Sequence, residues 1–291
     1  MKKITHAVIP VAGFGTRMLP LSKSVPKELL PLGNRPAIHY VVEEAIAAGI
    51  KHIVLVGHSQ KSAIENYFDI NAELDNQLRQ KGKDELADSL NWLPEDVSVS
   101  MIRQGKALGL GHAVLAARPI IGDNDFAVLL PDVVLDPFKT DLQRDNLAFM
   151  INAFAKEGHS QILVEQVADS EVHKYGIAKL SNDDDSEYKE DANGNQSFRV
   201  AGFVEKPKLS QAPSRLAVVG LYVFSNKIFA YLANTTASVG GEIQLTDAID
   251  ALISERGVNV TTMRGASYDA GDMRSYMQAF IYFAQQQLTD E

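Results

Sequence analysis

An apolar run meets a glycine-rich loop in residues 4–17, ITHAVIPVAGFGTR. Residues 4–11 are nearly all apolar, which is typical of a strand that is buried on both faces of a sheet. The loop at residues 12–17 then predicts a tight turn at the carboxyl end of this strand. Its two glycines would let backbone amides approach a phosphate group without hindrance from a Cβ atom, and Arg17 offers a planar fork of donors.

The loop fits neither of two common phosphate-binding patterns. Met18 stands where the Rossmann pattern has its third glycine, and no Gly-x4-Gly-Lys-Ser/Thr sequence occurs in the chain. Because glycine pairs are common in turns, a tight turn with a surface arginine is the simpler interpretation of these residues taken alone.

The next segments predict the fold class. Apolar residues recur at helical spacing from Pro36 to Gly49, and residues 52–56 form a second apolar strand. Strand, helix and strand in this order indicate a parallel sheet with a right-handed crossover. We therefore expect an α/β fold, with a Rossmann-like, mixed and mostly parallel central sheet flanked by helices. Antiparallel strands are predicted near residues 175–180 and 198–204, and a closing helix near residues 272–288.

The chain is interpreted as one domain, residues 1–291, with two excursions from its core. Residues 60–95 are polar and mostly helical in propensity. Residues 181–195 contain six acids and one lysine and end in Asn-Gly-Asn, which predicts a solvated acidic hairpin. We find no internal repeat and no low-complexity linker that would divide the chain.

Composition excludes several classes of function. The 291 residues include no cysteine, which rules out disulfides, zinc–thiolate sites and thiol nucleophiles. The 28 basic and 37 acidic residues give a net charge of −9, which opposes binding to nucleic acid or to an anionic membrane. No apolar run approaches the ~18 residues of a membrane span, so we expect a cytoplasmic protein. A polyanionic ligand would need a local cluster of basic groups.

A second basic residue follows the glycine loop. Residues 24–32 read SVPKELLPL, in which Pro26 and Pro31 stiffen the segment and limit where Lys27 can point. A lysine on a rigid loop beside a glycine loop and Arg17 makes a compact positive site in an acidic protein. Such a site suits a nucleoside triphosphate.

Several motifs together resemble the sugar-1-phosphate nucleotidyltransferase family, in its uridylyl-transferring branch. The resemblance covers nearly the whole chain. It is carried by Val11–Pro20, Pro26–Glu28, Arg103–Gly105, Gly109–Val114, Leu130–Asp132, Val204–Pro207, Glu242–Ala248 and Met277–Phe280.

The resemblance implies a reaction and its cofactor. UTP and α-D-glucose 1-phosphate would give UDP-glucose and pyrophosphate, by in-line attack of the sugar phosphate on the α-phosphorus and without a covalent intermediate. The resemblance also implies Mg²⁺ as cofactor and a homodimer or homotetramer as the assembly.

The resemblance further assigns roles to particular residues. The nucleotide-binding residues would be Ala12, Gly13, Gly15, Thr16, Gln104 and Gly109, where Gln104 and Gly109 meet the pyrimidine edge. The catalytic residues would be Arg17, Lys27, Asp132 and Lys206. The sugar-phosphate-binding residues would be Gly176, Glu205, Lys206 and Glu242. The metal ligands would be Asp132 and Asp269.

The residue chemistry agrees with these roles. The Gln104 amide offers a donor and an acceptor to an imide edge. Asp132 follows the apolar residues 126–130, so it lies at a strand end, where α/β proteins build their sites, and a carboxylate suits Mg²⁺. His112 is not expected to act as a general base, because the attacking phosphate is already anionic, and we assign it a structural role.

Two alternatives remain open at this stage. A sister enzyme that uses dTTP would share most of these motifs. A catalytically silent regulatory paralogue would have lost Arg17, Lys27, Asp132 or Lys206, and all four are present. One departure concerns specificity, since Leu221 stands where the uridylyl branch commonly has arginine.

Overall fold

The computed structural model describes residues 3–181, 189–191, 194–237 and 241–289. The strands are β1 His6–Pro10, β2 Pro31–Leu32, β3 Arg35–Pro36, β4 His52–Gly57, β5 Ser98–Arg103, β6 Phe126–Leu129, β7 Val133–Leu135, β8 Ser160–Gln166, β9 Gly176–Leu180, β10 Lys189–Glu190, β11 Gln196–Glu205, β12 Leu216–Phe224, β13 Val258–Thr262 and β14 Ser267–Asp269.

Longer and shorter helices connect these strands. The α-helices are α1 Ala37–Ala47, α2 Ser62–Phe68, α3 Ala72–Gln80, α4 Asp84–Leu90, α5 Leu110–Ala116, α6 Arg118–Ile121, α7 Leu147–Glu157, α8 Ile228–Asn234, α9 Leu245–Arg256 and α10 Met273–Thr289. Short 3-10 helices lie at Thr16–Met18, Leu21–Lys23, Lys27–Leu29, Ser59–Lys61, Val172–Lys174 and Leu209–Gln211. No helix in the described ranges is both long enough and apolar enough to cross a membrane.

One mixed sheet contains most of the strands, in the order β10-β11-β13-β8-β12-β6-β1-β4-β5, and β9 pairs with β11 and β12. Strands β6, β1, β4 and β5 are mutually parallel, and β8 is parallel to β13. Strand β12 runs antiparallel to both β6 and β8, and β9 runs antiparallel to β11. The predicted α/β fold, with a mixed sheet and an antiparallel portion, is confirmed.

Helices cover both faces of the sheet, and the side chains of β1 show how. Ala7 and Ile9 belong to a core cluster with residues of α1, α7 and α10. Val8, between them, packs on the opposite face with residues of α5, α8 and α9. All three side chains are fully buried, and burial of a large aliphatic side chain stabilises a fold by roughly 1.5–3 kcal/mol. Burial on both faces explains why this strand is apolar at consecutive positions.

The segment between β4 and β5 leaves the sheet and forms α2, α3 and α4. Lys61 lies directly before α2, and its ammonium is 2.7 Å from Glu28 Oε2 in a pair of almost fully buried side chains. This ion pair attaches the helical segment to the loop that carries Lys27. Most of the predicted acidic hairpin, residues 182–188 and 192–193, lies outside the described residues.

Strand β13 was missed by the sequence analysis although it lies inside the sheet. Its sequence, VNVTT, mixes polar with apolar residues, so it lacks the apolar run of a buried strand. The structure satisfies the buried polar groups by hydrogen bonds. Asn259 Nδ2 donates to Glu157 Oε2 (2.9 Å), and Thr261 Oγ1 donates to Gln161 Oε1 (3.2 Å).

Glu44 on α1 is a buried carboxyl group whose Oε1 has no hydrogen-bond partner among the described residues. Burial raises its pKa to about 8, although a backbone hydrogen bond from Leu147 opposes the shift. The folded protein therefore holds a proton on Glu44 that the unfolded chain releases at lower pH.

We predict that Glu44→Gln makes the free energy of unfolding less dependent on pH. Wild-type stability should fall as pH rises from the ordinary glutamate pKa to about 8, because the unfolded chain binds fewer protons than the folded protein over that range. Between about pH 5.5 and pH 8 the variant should gain on the order of 3 kcal/mol relative to wild type, measured by urea unfolding. The control is Glu43→Gln, since the Glu43 side chain is 41% exposed and pairs with the similarly exposed Arg35. Parallel pH profiles for wild type and Glu44→Gln would contradict the prediction.

Candidate active site

The edge of the sheet at the carboxyl ends of β1, β5 and β6 carries most of the predicted site residues. The chain runs outward from β1 to β4 and β5, and then returns to place β6 on the other side of β1. In open α/β sheets such a change of direction leaves a crevice at the strand ends, and ligands bind there.

The glycine loop after β1 turns sharply into a 3-10 helix. Gly15 has a φ of 64°, a left-handed conformation that favours glycine, and Ser22 Oγ donates a hydrogen bond to its carbonyl oxygen (2.7 Å). Met18, at the end of this helix, is fully buried and anchors the turn. The neighbouring Arg17 is exposed on the loop.

A cavity of about 400 Å³ opens between this loop and the ends of β5 and β6. The predicted residues that line it are Ala12, Gly13, Lys27, Gln104, Gly109, Asp132 and Glu242. Five predicted nucleotide-binding or catalytic residues with numbers below 110 therefore line the same cavity as Asp132. Gly15 and Thr16 are not among the described residues that line it.

Lys27 and Asp132 form an ion pair in this cavity. Lys27 Nζ lies 2.5 Å from Asp132 Oδ2, and both side chains are mostly buried. Burial alone would raise the pKa of Asp132, but the charge of Lys27 and its hydrogen bond hold that pKa below its usual range. Asp132 is therefore ionised at neutral pH and available as a ligand to a cation.

Asp269 reaches the same place from the end of β14. Strand β14 pairs with β7, so that Asp269 lies opposite Val133, and the Ala270 amide donates to the Asp132 carbonyl oxygen (2.7 Å). Burial raises the pKa of Asp269 against the opposing hydrogen bond from Gly271, and the charge of Asp132 adds to the rise. Two carboxylates 137 positions apart in sequence are thus brought together.

The absence of a side chain at Gly271 is what lets these groups converge. A β-carbon there would lie within 3.0 Å of three side-chain atoms, namely Asp269 Oδ1 at 2.8 Å, Arg17 Nη2 at 2.9 Å and Asp132 Oδ2 at 3.0 Å. Arg17 therefore points back towards the two carboxylates.

The donor set suits a magnesium ion that is shared with a substrate. Within the described ranges no three His, Asp or Glu side chains cluster closely enough to hold a metal by themselves. Asp132 and Asp269 supply two carboxylates, and Mg²⁺ in phosphate-transfer sites is bound by one or two carboxylates together with substrate phosphates. The residues present therefore fit the ion.

A second cavity, of about 220 Å³, adjoins the first. Gly176 and Glu205 line it, opposite each other on the antiparallel pair of β9 and β11. A β-carbon at Gly176 would stand 3.1 Å from Glu205 Oε2, so glycine leaves room for that carboxylate. Leu110 lines both cavities, which shows that they are neighbours. Glu242, predicted with the sugar residues, lies in the first cavity instead.

Lys206 follows Glu205 in an unusual backbone conformation. Its φ of 44° is uncommon for a residue with a side chain, and such strain is concentrated at functional sites. The Lys206 amide donates to the Tyr175 carbonyl oxygen (3.0 Å), and its exposed ammonium lies 3.6 Å from Glu205 Oε1. Lys206 thus follows directly on Glu205, which lines the second cavity, but is not itself among the described residues that line it.

The structure adds a residue that the sequence analysis did not single out. Tyr222 of β12 lines the second cavity and is almost fully buried. Burial raises its pKa, and the negative charge of Glu205, which lines the same cavity, raises it further. Tyr222 belongs to an apolar run, LAVVGLYVF, in which nothing distinguishes it from a core residue.

Fold and site together define an enzyme that handles a nucleotide beside a second small ligand. A family model described as nucleotidyl transferase matches residues 6–286. The chain therefore belongs to the nucleotidyl transferase family, whose members generally use a divalent metal.

Within this family the chain is similar to the UTP–glucose-1-phosphate uridylyltransferases. It is 51% identical to that of Escherichia coli K12, over 97% of this chain and 90% of the relative. It is 49% identical to that of Haemophilus influenzae, over 95% and 92%. A structure described as UTP-bound UGPase from Acinetobacter baumannii is 45% identical, with a TM-score of 0.86 over 96% of this chain and 93% of that one.

We predict that Gly271→Ala lowers turnover by about 10²-fold while the protein stays folded. The added methyl group would displace Arg17 or one of the two carboxylates, and misplacement by about 1 Å costs roughly that factor. The measurement is steady-state kinetics together with thermal unfolding. Gly105→Ala is the matched control, because a β-carbon at Gly105 meets nothing within 4 Å. Normal turnover in Gly271→Ala would show that catalysis does not depend on the close approach of Arg17, Asp132 and Asp269.

Proposed function

We propose that the protein transfers a uridylyl group from UTP to α-D-glucose 1-phosphate and releases pyrophosphate. The observation that carries the proposal is the pair of adjoining cavities. One is lined by the glycine loop, Lys27 and Gln104, and the other by Gly176 and Glu205. The names of the uridylyltransferase relatives, which match over nearly the whole chain, support the same substrates.

The reaction brings two polyanions together, so charge neutralisation and positioning should dominate catalysis. An oxygen of the sugar phosphate attacks the α-phosphorus of UTP in line, and pyrophosphate leaves on the opposite side. Arg17 and Lys27 would neutralise the charge that grows on pyrophosphate. No general base is needed, because the attacking oxygen is already anionic.

Lys27 would change partner during the cycle. In the structure its charge is balanced by Asp132. An arriving triphosphate would draw Lys27 away from the carboxylate. Asp132 and Asp269 would then hold Mg²⁺, which supplies positive charge to the nucleotide phosphates.

The second cavity would hold the sugar. Glu205 accepts hydrogen bonds from sugar hydroxyls, and Lys206 holds the phosphate group that attacks. The distance of 3.6 Å between the Glu205 carboxylate and the Lys206 ammonium, at the end of β11, supports this pair of roles. Glu242 would lie nearer the ribose than the glucose, since it lines the first cavity.

We further propose the homodimer or homotetramer that the resemblance implies. Helix α10 exposes Met277, Ile281 and Leu288 at helical spacing, and their exposed fractions are 56%, 53% and 72%. Such a stripe gives a second copy of the chain an apolar surface to cover.

The reaction is tested by measuring pyrophosphate release with Mg²⁺ and glucose 1-phosphate, with UTP, dTTP, ATP, CTP and GTP offered in turn. We expect clear preference for UTP. Equal or better use of dTTP would move the protein to the thymidylyl branch, and no release with any nucleotide would reject the proposed function.

We predict that Lys206→Ala raises the KM for glucose 1-phosphate by about tenfold to a hundredfold and leaves the KM for UTP nearly unchanged. Loss of one hydrogen bond to a charged group costs about 1.5–3 kcal/mol, which corresponds to that range. Lys208→Ala, at a nearby exposed lysine, is the matched control. An unchanged KM for the sugar phosphate in Lys206→Ala would reject the anchoring role.

A further inference from the structure

Gln104 is held firmly at the end of β5. Its backbone amide donates to the Gly57 carbonyl oxygen (2.8 Å), which continues the pairing of β5 with β4 by one residue. Its side chain is 6% exposed and lines the first cavity. Because this side-chain amide is buried, few other hydrogen-bond partners are available to it.

Two acceptors use both hydrogens of the Gln104 amide nitrogen. Nε2 lies 3.0 Å from the Gly109 carbonyl oxygen and 3.1 Å from His112 Nδ1. A carbonyl oxygen can only accept, so the amide atom beside Gly109 must be the NH2 group. His112 Nδ1 must therefore accept the other hydrogen, which places the ring hydrogen of the neutral imidazole on Nε2.

This arrangement settles which atom Gln104 can present to a ligand. Among the described residues, the Gln104 side chain makes its hydrogen bonds through Nε2 and none through Oε1. With both amide hydrogens occupied, Gln104 offers the cavity an acceptor and no donor. The reversed orientation would set Oε1 against the Gly109 carbonyl and the His112 lone pair, which repels on both sides.

A hydrogen-bond acceptor at this position distinguishes uracil from cytosine. Uracil carries a hydrogen on N3, which an amide oxygen can accept, whereas N3 of cytosine carries a lone pair. Binding cytosine would set two acceptors against each other, and sites that leave buried polar groups unpaired reject such ligands strongly.

We propose that His112 is a positioning residue that fixes the orientation of the Gln104 amide and thereby selects UTP over CTP. The inference rests on the proposed function and deepens it. His112 lies in the first turn of α5, and the adjacent Gly111 amide donates to the Ile243 carbonyl oxygen (2.9 Å). The imidazole is thus carried by a fixed segment that faces the end of β5.

The test measures the dissociation constants of UTP and CTP by calorimetry, which requires no turnover. His112→Leu, which removes the acceptor but fills the space, should reduce the preference for UTP over CTP by about tenfold, the factor that one neutral hydrogen bond supplies. His112→Asn should restore most of the preference, because its Oδ1 can replace Nδ1 as the acceptor. The dissociation constant of glucose 1-phosphate should not change.

Two controls separate positioning from a general structural role. His52→Ala removes an exposed histidine at the opposite end of β4 and should leave the preference unchanged. Combining His112→Leu with Gln104→Ala should cost no more preference than Gln104→Ala alone, because His112 acts through that amide. Thermal unfolding checks each variant, and His112→Ala replaces His112→Leu if the larger side chain prevents folding.

The possible outcomes are distinct. An unchanged preference in the folded His112→Leu and His112→Ala variants, an additive double variant, or the absence of any UTP preference in wild type would overturn the inference. A wild type that binds UTP selectively but releases no pyrophosphate would instead reject the proposed function and leave the positioning role supported.

Discussion

An ion pair, Lys27 with Asp132, joins the two halves of the candidate site across 105 positions of sequence. A site for two polyanions needs cations for the phosphates and carboxylates for a metal ion, and these groups must lie close together before any ligand arrives. In the structure Lys27 and Asp132 neutralise each other's charge. That pairing holds Asp132 ionised despite its burial and keeps Lys27 at the mouth of the glycine loop.

The fold provides this arrangement by bringing strand ends together. The glycine loop, Gln104 and Asp132 come from the ends of three parallel strands, while Asp269 arrives on the small β7–β14 ladder. Helix α10 contacts both the strand that carries Asp269 and the segment that follows Lys27. Tyr282 stacks on Tyr268, next to Asp269, and Tyr276 Oη donates to the Pro31 carbonyl oxygen (3.1 Å), near the loop that carries Lys27.

The sequence alone predicted the features of the fold and of the site that depend on local residue patterns. The apolar run before Gly13 and the helical spacing after Pro36 predicted the parallel strands, and the motifs predicted seven of the residues that line the first cavity, Lys27, Gln104 and Asp132 among them. What could not be predicted depends on contacts between distant segments. VNVTT becomes an internal strand because its polar groups find hydrogen-bond partners on other segments. Gly271 could not be singled out because two of the three side chains that leave no room for a β-carbon there, Arg17 and Asp132, are distant in sequence.

In the proposed cycle Lys27 and Asp132 separate, Asp132 to hold Mg²⁺ and Lys27 to hold the nucleotide phosphates. Calorimetric titration of UTP, with and without Mg²⁺, into wild type and Asp132→Asn tests it most directly. In wild type, Mg²⁺ should tighten UTP binding by about tenfold or more. In Asp132→Asn the gain should disappear, while metal-free UTP binding should be at least as tight as in wild type, because Lys27 is released and a repelling carboxylate is gone. An equal gain from Mg²⁺ in both proteins would contradict the account.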